Sequence, residues 1–189
     1  MKSIPMVLLA VILCVSSMES VAADMPKESD LKLEAIKVVK SFSDILKPKL
    51  QAAIQTGGLE HAVNICSVEA QEIAKKVSEE SGWSIKRVSL KPRNTPAAAP
   101  DDFERNVLNQ FNDFQTKGVL PAQLEHSEII GKQYRYMKAQ VVEGVCLNCH
   151  GNSISSDLQK LINEKYPEDA ATGYSLGQIR GAFSLIKNF

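Results

Sequence analysis

The 189-residue chain lacks a surplus of charge of either sign, because 22 lysine and arginine residues balance 22 aspartate and glutamate residues. Binding to the phosphates of nucleic acid requires a basic surplus, so we expect no nucleic acid partner. The sequence also lacks internal repeats and low-complexity tracts. Its apolar share of 44% and its charged share of 23% are ordinary for a globular protein, and its length is that of one domain.

The sequence contains no apolar run long enough to span a membrane. Residues 4–15 form an apolar run of about a dozen residues, whereas a helix needs about 20 to cross the roughly 30 Å hydrocarbon core. Lys2 precedes this run, and small residues at 21–23 end the polar stretch after it, as in a cleaved secretory signal. We therefore predict a signal peptide over 1–23, a domain over 24–189 without a membrane anchor, and a periplasmic or otherwise extracytoplasmic location. A retained anchor is the alternative.

Cysteine and histidine are scarce, with four and three residues. Cys14 lies within the predicted signal and follows Leu13, whereas the processing of a lipoprotein requires a small residue at that position. The mature chain therefore keeps Cys66, Cys146 and Cys149. An exported protein cannot pair three cysteines in disulfides, so one is left over and needs another role.

Residues 146–150, Cys-Leu-Asn-Cys-His, form a C-x-x-C-H motif, which is typical of covalent attachment of a c-type haem. Two thiols held one turn apart add to the two vinyl groups of the porphyrin, and the adjacent His150 places its imidazole on the iron. In this composition the motif arises by chance about once in a thousand chains of this length. We therefore predict one haem c, bound through Cys146 and Cys149, with His150 as an iron ligand.

Three other interpretations of the motif are less suitable. A thioredoxin-like pair would lie at a helix start within a βαβ pattern, which the sequence does not show. A disulfide between Cys146 and Cys149 is geometrically poor at this spacing. A zinc site of Cys66, Cys146, Cys149 and His150 has the right number of ligands, but it would require the adjacent Cys149 and His150 to bind one small ion.

Five residues are candidates for the second axial ligand: Met25, His61, Cys66, His126 and Met137. Met25 lies in the loose start of the mature chain and His126 in a polar stretch, so both are poor candidates. Met137 lies in an alternating segment whose apolar residues share one face of a strand. Packing in the core is the favoured interpretation of Met137.

Cys66 lies within residues 58–80, where apolar residues recur at three- and four-residue spacing and predict a helix. Its neighbours on the apolar stripe, Ala62 and Ala70, are small enough to let a porphyrin plane approach. His61 falls off this stripe. From the residues alone, Cys66 is either an axial ligand or a small buried apolar residue, and both interpretations remain open.

The remaining patterns predict an α+β domain with long N-terminal helices packed on one antiparallel sheet. The first helix is expected to bend at Pro48 and to end at Gly57 and Gly58. The predicted elements are helices over 31–54 and 58–80, a strand over 83–90, a Pro-rich loop over 91–100, a helix with an Asp101–Glu104 capping box and a buried face of Phe103, Val107, Leu108, Phe111 and Phe114, two strands within 127–145, a helix over 157–165 and a strand over 178–187.

Several segments together carry a resemblance to a known family: RVSLKPRN at 87–94, APDDFE at 99–104, YMKA at 136–139, CLNCHG at 146–151, YPEDAATGY at 166–174 and GQIRGAFS at 177–184. The chain resembles a family of single-haem c-type proteins of cyanobacteria and proteobacteria, formerly a domain of unknown function. The resemblance covers nearly all of the mature chain. It implies a PAS-like fold and His/Cys ligation of the iron, with Cys66 as the second axial ligand.

Two arginines and three tyrosines are further candidates for the haem site. Arg93, in the Pro-rich loop, and Arg180, in the last strand, match the geometry of the haem propionates, with solvated surface charges as the alternative. The tyrosines that are candidates to line the pocket are Tyr134, Tyr136 and Tyr174.

The predicted ligand set determines the expected function. A thiolate stabilises ferric iron, so we predict a low reduction potential and an Fe–S bond that weakens on reduction, freeing a position for CO, NO or another small ligand. We therefore predict a redox or small-ligand sensor that acts on a separate signalling or redox partner, with a periplasmic electron-transfer cytochrome as the alternative. An enzyme such as a peroxidase needs a distal acid or base, for which the sequence offers only His61 and His126, so we expect no enzymatic activity.

Overall fold

The structure is a computed structural model that describes residues 26–95 and 97–189. The predicted signal peptide and the ligand candidate Met25 lie outside these residues. No helix in the described ranges is long and apolar enough to cross a membrane. The elements are α1 Glu28–Ser67, α2 Glu69–Ser81, β1 Ser84–Val88, α3 Asp102–Thr116, β2 Glu125–Ile130, β3 Gln133–Val141, α4 Leu147–His150, α5 Ser156–Lys165 and β4 Ile179–Asn188, with short 3-10 turns at Pro121–Gln123 and Gly144–Cys146.

The four strands form one antiparallel sheet in the order β1-β4-β3-β2. Alternation along β3 sends Tyr134 and Tyr136 to one face and Met137 and Ala139 to the other. Helices α1 and α2 pack on the first face, and α3 packs on the second. The α+β class with long N-terminal helices on an antiparallel sheet is therefore confirmed.

The first face of the sheet carries the larger core. Leu31, Ala35, Val38 and Phe42 recur at three- and four-residue spacing along α1 and are buried against the sheet. Tyr134 and Tyr136 lie in this core, and the ring of Tyr134 lies 6.0 Å from that of Trp83, centre to centre. These two tyrosines were candidates to line a pocket, but the helices cover them completely.

The long first helix changes direction at two glycines. The backbone leaves helical dihedral angles at Gly57 and Gly58, where φ of Gly58 is +68°, a conformation that favours glycine. The expected bend at Pro48 is absent from the dihedral angles, since Pro48 lies within the helical part of α1. The break lets Leu59 and Val63 leave the sheet and pack against α5.

The second predicted helix is two helices, which corrects the sequence prediction. The chain turns at Val68, whose φ and ψ are −110° and −63°, so Cys66 lies in the last turn of α1 rather than in the middle of a helix. The sequence 58–80 contains no internal proline to signal this turn. It arises because the segment before it packs on α5 and the segment after it packs on the sheet.

Helix α3 begins as predicted, with a complete capping box between Asp101 and Glu104. Val107, Leu108 and Phe111 are buried against the second face of the sheet. Phe114 was expected to be buried with them but is 43% exposed. The chain leaves α3 through exposed residues 116–120, so no element covers Phe114.

Glu104 forms the centre of a charged network under α3. Its side chain is completely buried, and its carboxylate oxygens lie 2.9 Å from Lys86 Nζ and 3.4 Å from Arg135 Nη2. The Ser184 hydroxyl donates a hydrogen bond to the same carboxylate at 2.6 Å. Glu104 thus joins α3 to β1, β3 and β4, and its charge is compensated from three strands.

We expect Glu104→Gln to lower the free energy of unfolding by about 1–3 kcal/mol, because it removes the buried charge that Lys86 and Ser184 contact, while Arg135 keeps its ion pair with Asp101. Glu79→Gln is the control, since Glu79 is 67% exposed and faces Lys75 at 3.9 Å, and it should change stability by less than about 0.5 kcal/mol. Urea unfolding measures both. A loss below about 1 kcal/mol for Glu104→Gln would contradict the role of the network.

Candidate functional site

A cavity of about 440 Å³ lies between the second half of α1, the sheet and the C-x-x-C-H segment. Its volume lies within the range of about 300–1,000 Å³ that small-molecule and cofactor sites occupy. The cavity wall contains all six residues that the sequence analysis assigned to a site: Cys66, Arg93, Cys146, Cys149, His150 and Arg180. Residues more than 100 positions apart in the chain therefore meet around one space.

Cys66 reaches the cavity from the last turn of α1. Its neighbours Ala62 and Val63 are buried, and the wall beside it includes Tyr166 of the segment after α5. Burial raises the pKa of the Cys66 thiol, and the charges of Arg87, Arg180 and Arg93 oppose that increase. The thiol thus lies in an enclosed space next to positive charge.

The C-x-x-C-H segment is held in place from two sides. Cys146 and Leu147 pack against Val142, Ala171 and Tyr174, while Cys149 packs against the cluster that joins α1 to α5. Two hydrogen bonds tie its end to the loop before β4: the amide of Gly173 donates to the carbonyl of Gly151 at 3.0 Å, and that of Tyr174 donates to His150 at 2.9 Å. Both thiols are partly exposed and free.

The imidazole of His150 has a defined orientation and tautomer. Its Nδ1 donates a hydrogen bond to the carbonyl of Ala171 at 2.6 Å, and its Nε2 accepts one from Arg180 Nη1 at 3.3 Å. Burial, together with the nearby Arg180 and Arg93 guanidinium groups, lowers the pKa of His150 to about 2. The neutral ring therefore presents the Nε2 lone pair at the cavity wall, as a metal-ligating histidine does.

Arg93 is engaged by the protein itself. Its Nε and Nη2 donate to the two carboxylate oxygens of Asp169 at 3.1 and 3.0 Å. Nη2 also donates to the carbonyls of Cys149 at 2.5 Å and Ala171 at 3.3 Å. Arg93 thus fixes the backbone on both sides of His150, a role that the sequence did not indicate.

Arg180 owes its position to an irregularity in β4. In the β3–β4 ladder Gln140 faces Gly181, but Val141 faces Ile179, so Arg180 is an extra residue in a β-bulge. Regular alternation would send Arg180 to the α3 face, together with Ala182. The bulge instead lets its guanidinium reach His150.

Arg87 also lines the cavity, although the sequence analysis assigned it no role. It lies on β1 opposite Phe183, two residues from the buried Ile85, and its guanidinium carbon is 5.3 Å from the centre of the Phe42 ring. Burial, together with the charge of Arg180, lowers the pKa of Arg87 to about 10. In the sequence, Arg87 is a charged residue at a strand position that shares the core-facing side with Ile85, and this pattern could have identified it.

The other candidates lie away from the cavity. Met137 is fully buried in the core under α3, in agreement with the packing interpretation. His61 is exposed, and the ring of His126 packs against Phe103 at 5.7 Å between centres. Tyr174 lines a second cavity of about 290 Å³, and Lys91 Nζ lies over its ring, 4.6 Å from the ring centre.

The structure also bears on the alternative interpretations of the motif. Within residues 26–95 and 97–189, no three His, Cys, Asp or Glu side chains lie close enough together to hold one metal ion. Cys146 and Cys149 are not joined in a disulfide. The wholly antiparallel sheet contains no βαβ unit of the thioredoxin kind.

Comparison with known proteins gave two matches. The family model described as Tll0287-like matches residues 15–187. The crystal structure of the cyanobacterial heme-protein Tll0287 superposes with a TM-score of 0.65 at 22% sequence identity, covering 86% of this chain and 97% of that one. The two proteins therefore share a fold. No curated protein matches this chain in sequence.

Gly151 and Gly144 flank the motif and allow a matched test of its packing. A Cβ atom at Gly151 would lie 2.6 Å from the carbonyl oxygen of Leu147, whereas one at Gly144 would meet nothing within 4 Å. We expect Gly151→Ala to lower the free energy of unfolding by about 1–3 kcal/mol, because backbone must move. Gly144→Ala should change it by less than about 1 kcal/mol in urea unfolding. Equal effects would contradict the close packing at Gly151.

Proposed function

The chain belongs to the Tll0287-like family, and from this premise we propose that it binds one haem c in the cavity between α1, the sheet and the C-x-x-C-H segment. The cyanobacterial protein with the same fold is a heme-protein, which supports a haem in this cavity. When bound, the haem would supply a one-electron couple and an iron coordination position.

Four side chains would hold the group. Cys146 and Cys149 would form thioethers, each thiol adding its sulfur and its hydrogen across a porphyrin vinyl group. His150 and Cys66 would bind the iron. The observation that carries this proposal is the arrangement of His150, whose Nδ1 is committed to Ala171 while Nε2 faces the cavity that Cys66 also lines.

The propionate groups of the haem require cationic partners. Arg180 makes no ion pair with any acid in the described part of the chain, which supports it as such a partner. Arg93 was the other candidate, but its pairing with Asp169 argues for a structural role.

We further propose that the protein is an exported redox or small-ligand sensor with a PAS-like frame. Cys66 lies two residues before the turn at Val68 that separates α1 from α2. A change in its bonding to iron would therefore alter the position of α2, which packs on the sheet. A separate signalling or redox protein would receive this change. Neither His61 nor His126 lines the cavity, which argues against a distal acid or base and hence against an enzyme.

The alternative function is electron transfer in the periplasm. It is favoured by one observation: the C-x-x-C-H segment lies at the surface, where Asn148 and Gly144 are exposed and both thiols are partly exposed. A haem edge at this position would be accessible to a redox partner. Since the chain has zero net charge, long-range steering of that partner would be weak.

Absorption spectra of the protein matured with periplasmic haem attachment test the proposed cofactor and role. We expect haem that remains on the denatured chain, a six-coordinate ferric form, and a ferrous form that binds CO because the Fe–S bond weakens on reduction. A ferrous spectrum that CO leaves unchanged would favour the electron carrier. Absence of covalent haem would contradict the proposal itself.

Replacement of Cys66 tests the second axial ligand. We expect Cys66→Ala to change the ferric spectrum and to raise the reduction potential by at least about 59 mV, a tenfold change in a one-electron equilibrium, because a thiolate stabilises ferric iron. Met137→Leu, a substitution of similar volume in the α3-side core, should leave both unchanged. If Cys66→Ala keeps the spectrum and the potential of the wild type, Cys66 is not a ligand.

A further inference from the structure

The cavity wall contains two guanidinium groups that lack an anionic partner. Within the described ranges the guanidinium of Arg87 makes no hydrogen bond and no salt bridge, and it lies over the Phe42 ring. Arg180 bonds through its side chain to the neutral His150. The acid on this wall is Glu143, which pairs with Lys47 at 2.6 Å. Two cations withdrawn from bulk water without an anion are costly to the fold.

Arg87 and Arg180 lie close together on adjacent strands. Arg87 faces Phe183 across the β1–β4 ladder, and Arg180 lies three residues before Phe183, at the bulge. Burial and, after it, the charge of Arg180 lower the pKa of Arg87, in agreement with like charges that share a small space. The pair is therefore suited to a ligand that carries two negative groups.

We propose that Arg87 and Arg180 form a subsite for two carboxylates of the cavity ligand, and that Arg93 is not part of this subsite. The inference rests on the proposed function, because the ligand with two carboxylates would be the haem with its two propionates. A guanidinium binds a carboxylate through parallel hydrogen bonds, so each arginine serves one carboxylate.

The contact between Arg180 and His150 supports this assignment. Arg180 Nη1 donates to the same Nε2 atom that would bind the iron. Once Nε2 is used as a ligand, the guanidinium loses that acceptor and needs another one nearby. A propionate carboxylate would supply this acceptor. The acidic residue on the described wall, Glu143, is already paired with Lys47.

Binding of iron-free protoporphyrin to the full chain, purified without haem, tests the subsite without iron ligation. We expect Arg87→Met to weaken protoporphyrin binding about tenfold to a hundredfold, the usual size of a lost hydrogen bond to a charged group. Binding of the dimethyl ester, which lacks both charges, should not weaken, and Arg87→Lys should restore part of the loss. Arg93→Met is the control and should affect the acid and the ester equally.

The outcomes separate the two proposals. If the wild type binds both porphyrins and Arg87→Met weakens them equally, the subsite is wrong while the proposed cofactor stands. If the wild type binds neither porphyrin and acquires no haem during maturation, both proposals are wrong.

A second measurement uses the matured protein and so does not depend on folding without haem. With haem labelled by carbon-13 at the propionate carboxylates, infrared spectra report directly on their hydrogen bonds. We expect Arg87→Met and Arg180→Met each to shift a labelled carboxylate band, and Arg105→Met, at an exposed arginine outside the cavity wall, to leave the bands in place. A shift caused by Arg93→Met alone would overturn the assignment.

Discussion

The geometry of the cavity depends on the ion pair between Arg93 and Asp169. It joins the loop after β1 to the loop before β4, and the side chain of Asp169 is only 2% exposed. The same guanidinium binds the carbonyl of Cys149, while Asp169 accepts the amide of Ala171 at 2.8 Å. Since the carbonyl of Ala171 in turn holds His150 Nδ1, one chain of contacts leads from a buried charge pair to the orientation of the imidazole.

The distribution of charge inside the molecule differs from its overall balance. Net charge is zero, yet the described wall of the cavity carries six basic residues and one acidic residue. Four of the six basic residues have partners in the protein: Lys47 pairs with Glu143, Arg93 with Asp169 and Lys138 with Glu125, and Lys91 donates to the carbonyl of Thr172. The two remaining guanidinium groups give the cavity a positive field that favours an anionic ligand, and burial, together with the charges of Arg180 and Arg93, lowers the pKa of His150 so that it stays neutral.

The two faces of the sheet have different uses. The α3 face is closed by a compact apolar cluster and by the buried Glu104 network, and the cavity of about 290 Å³ beside α3 is smaller than the cavity on the α1 face. On the α1 face the apolar core ends near Leu46, and the break at Gly57 turns the helix away from the sheet. The space between the diverging helix and the sheet is the cavity.

Local patterns in the sequence determined the α+β class, the capping box of α3, the core position of Met137 and the residues of the C-x-x-C-H motif, because each depends on neighbours within a few positions. Only the tertiary structure decided that Arg93 is paired with Asp169, that a bulge redirects Arg180, and that Arg87 completes the wall. It also decided the turn at Val68 and the burial of Tyr134 and Tyr136. The physical reason is that ion pairs, strand register and helix packing join residues far apart in the chain, and no local spacing encodes which of them meet.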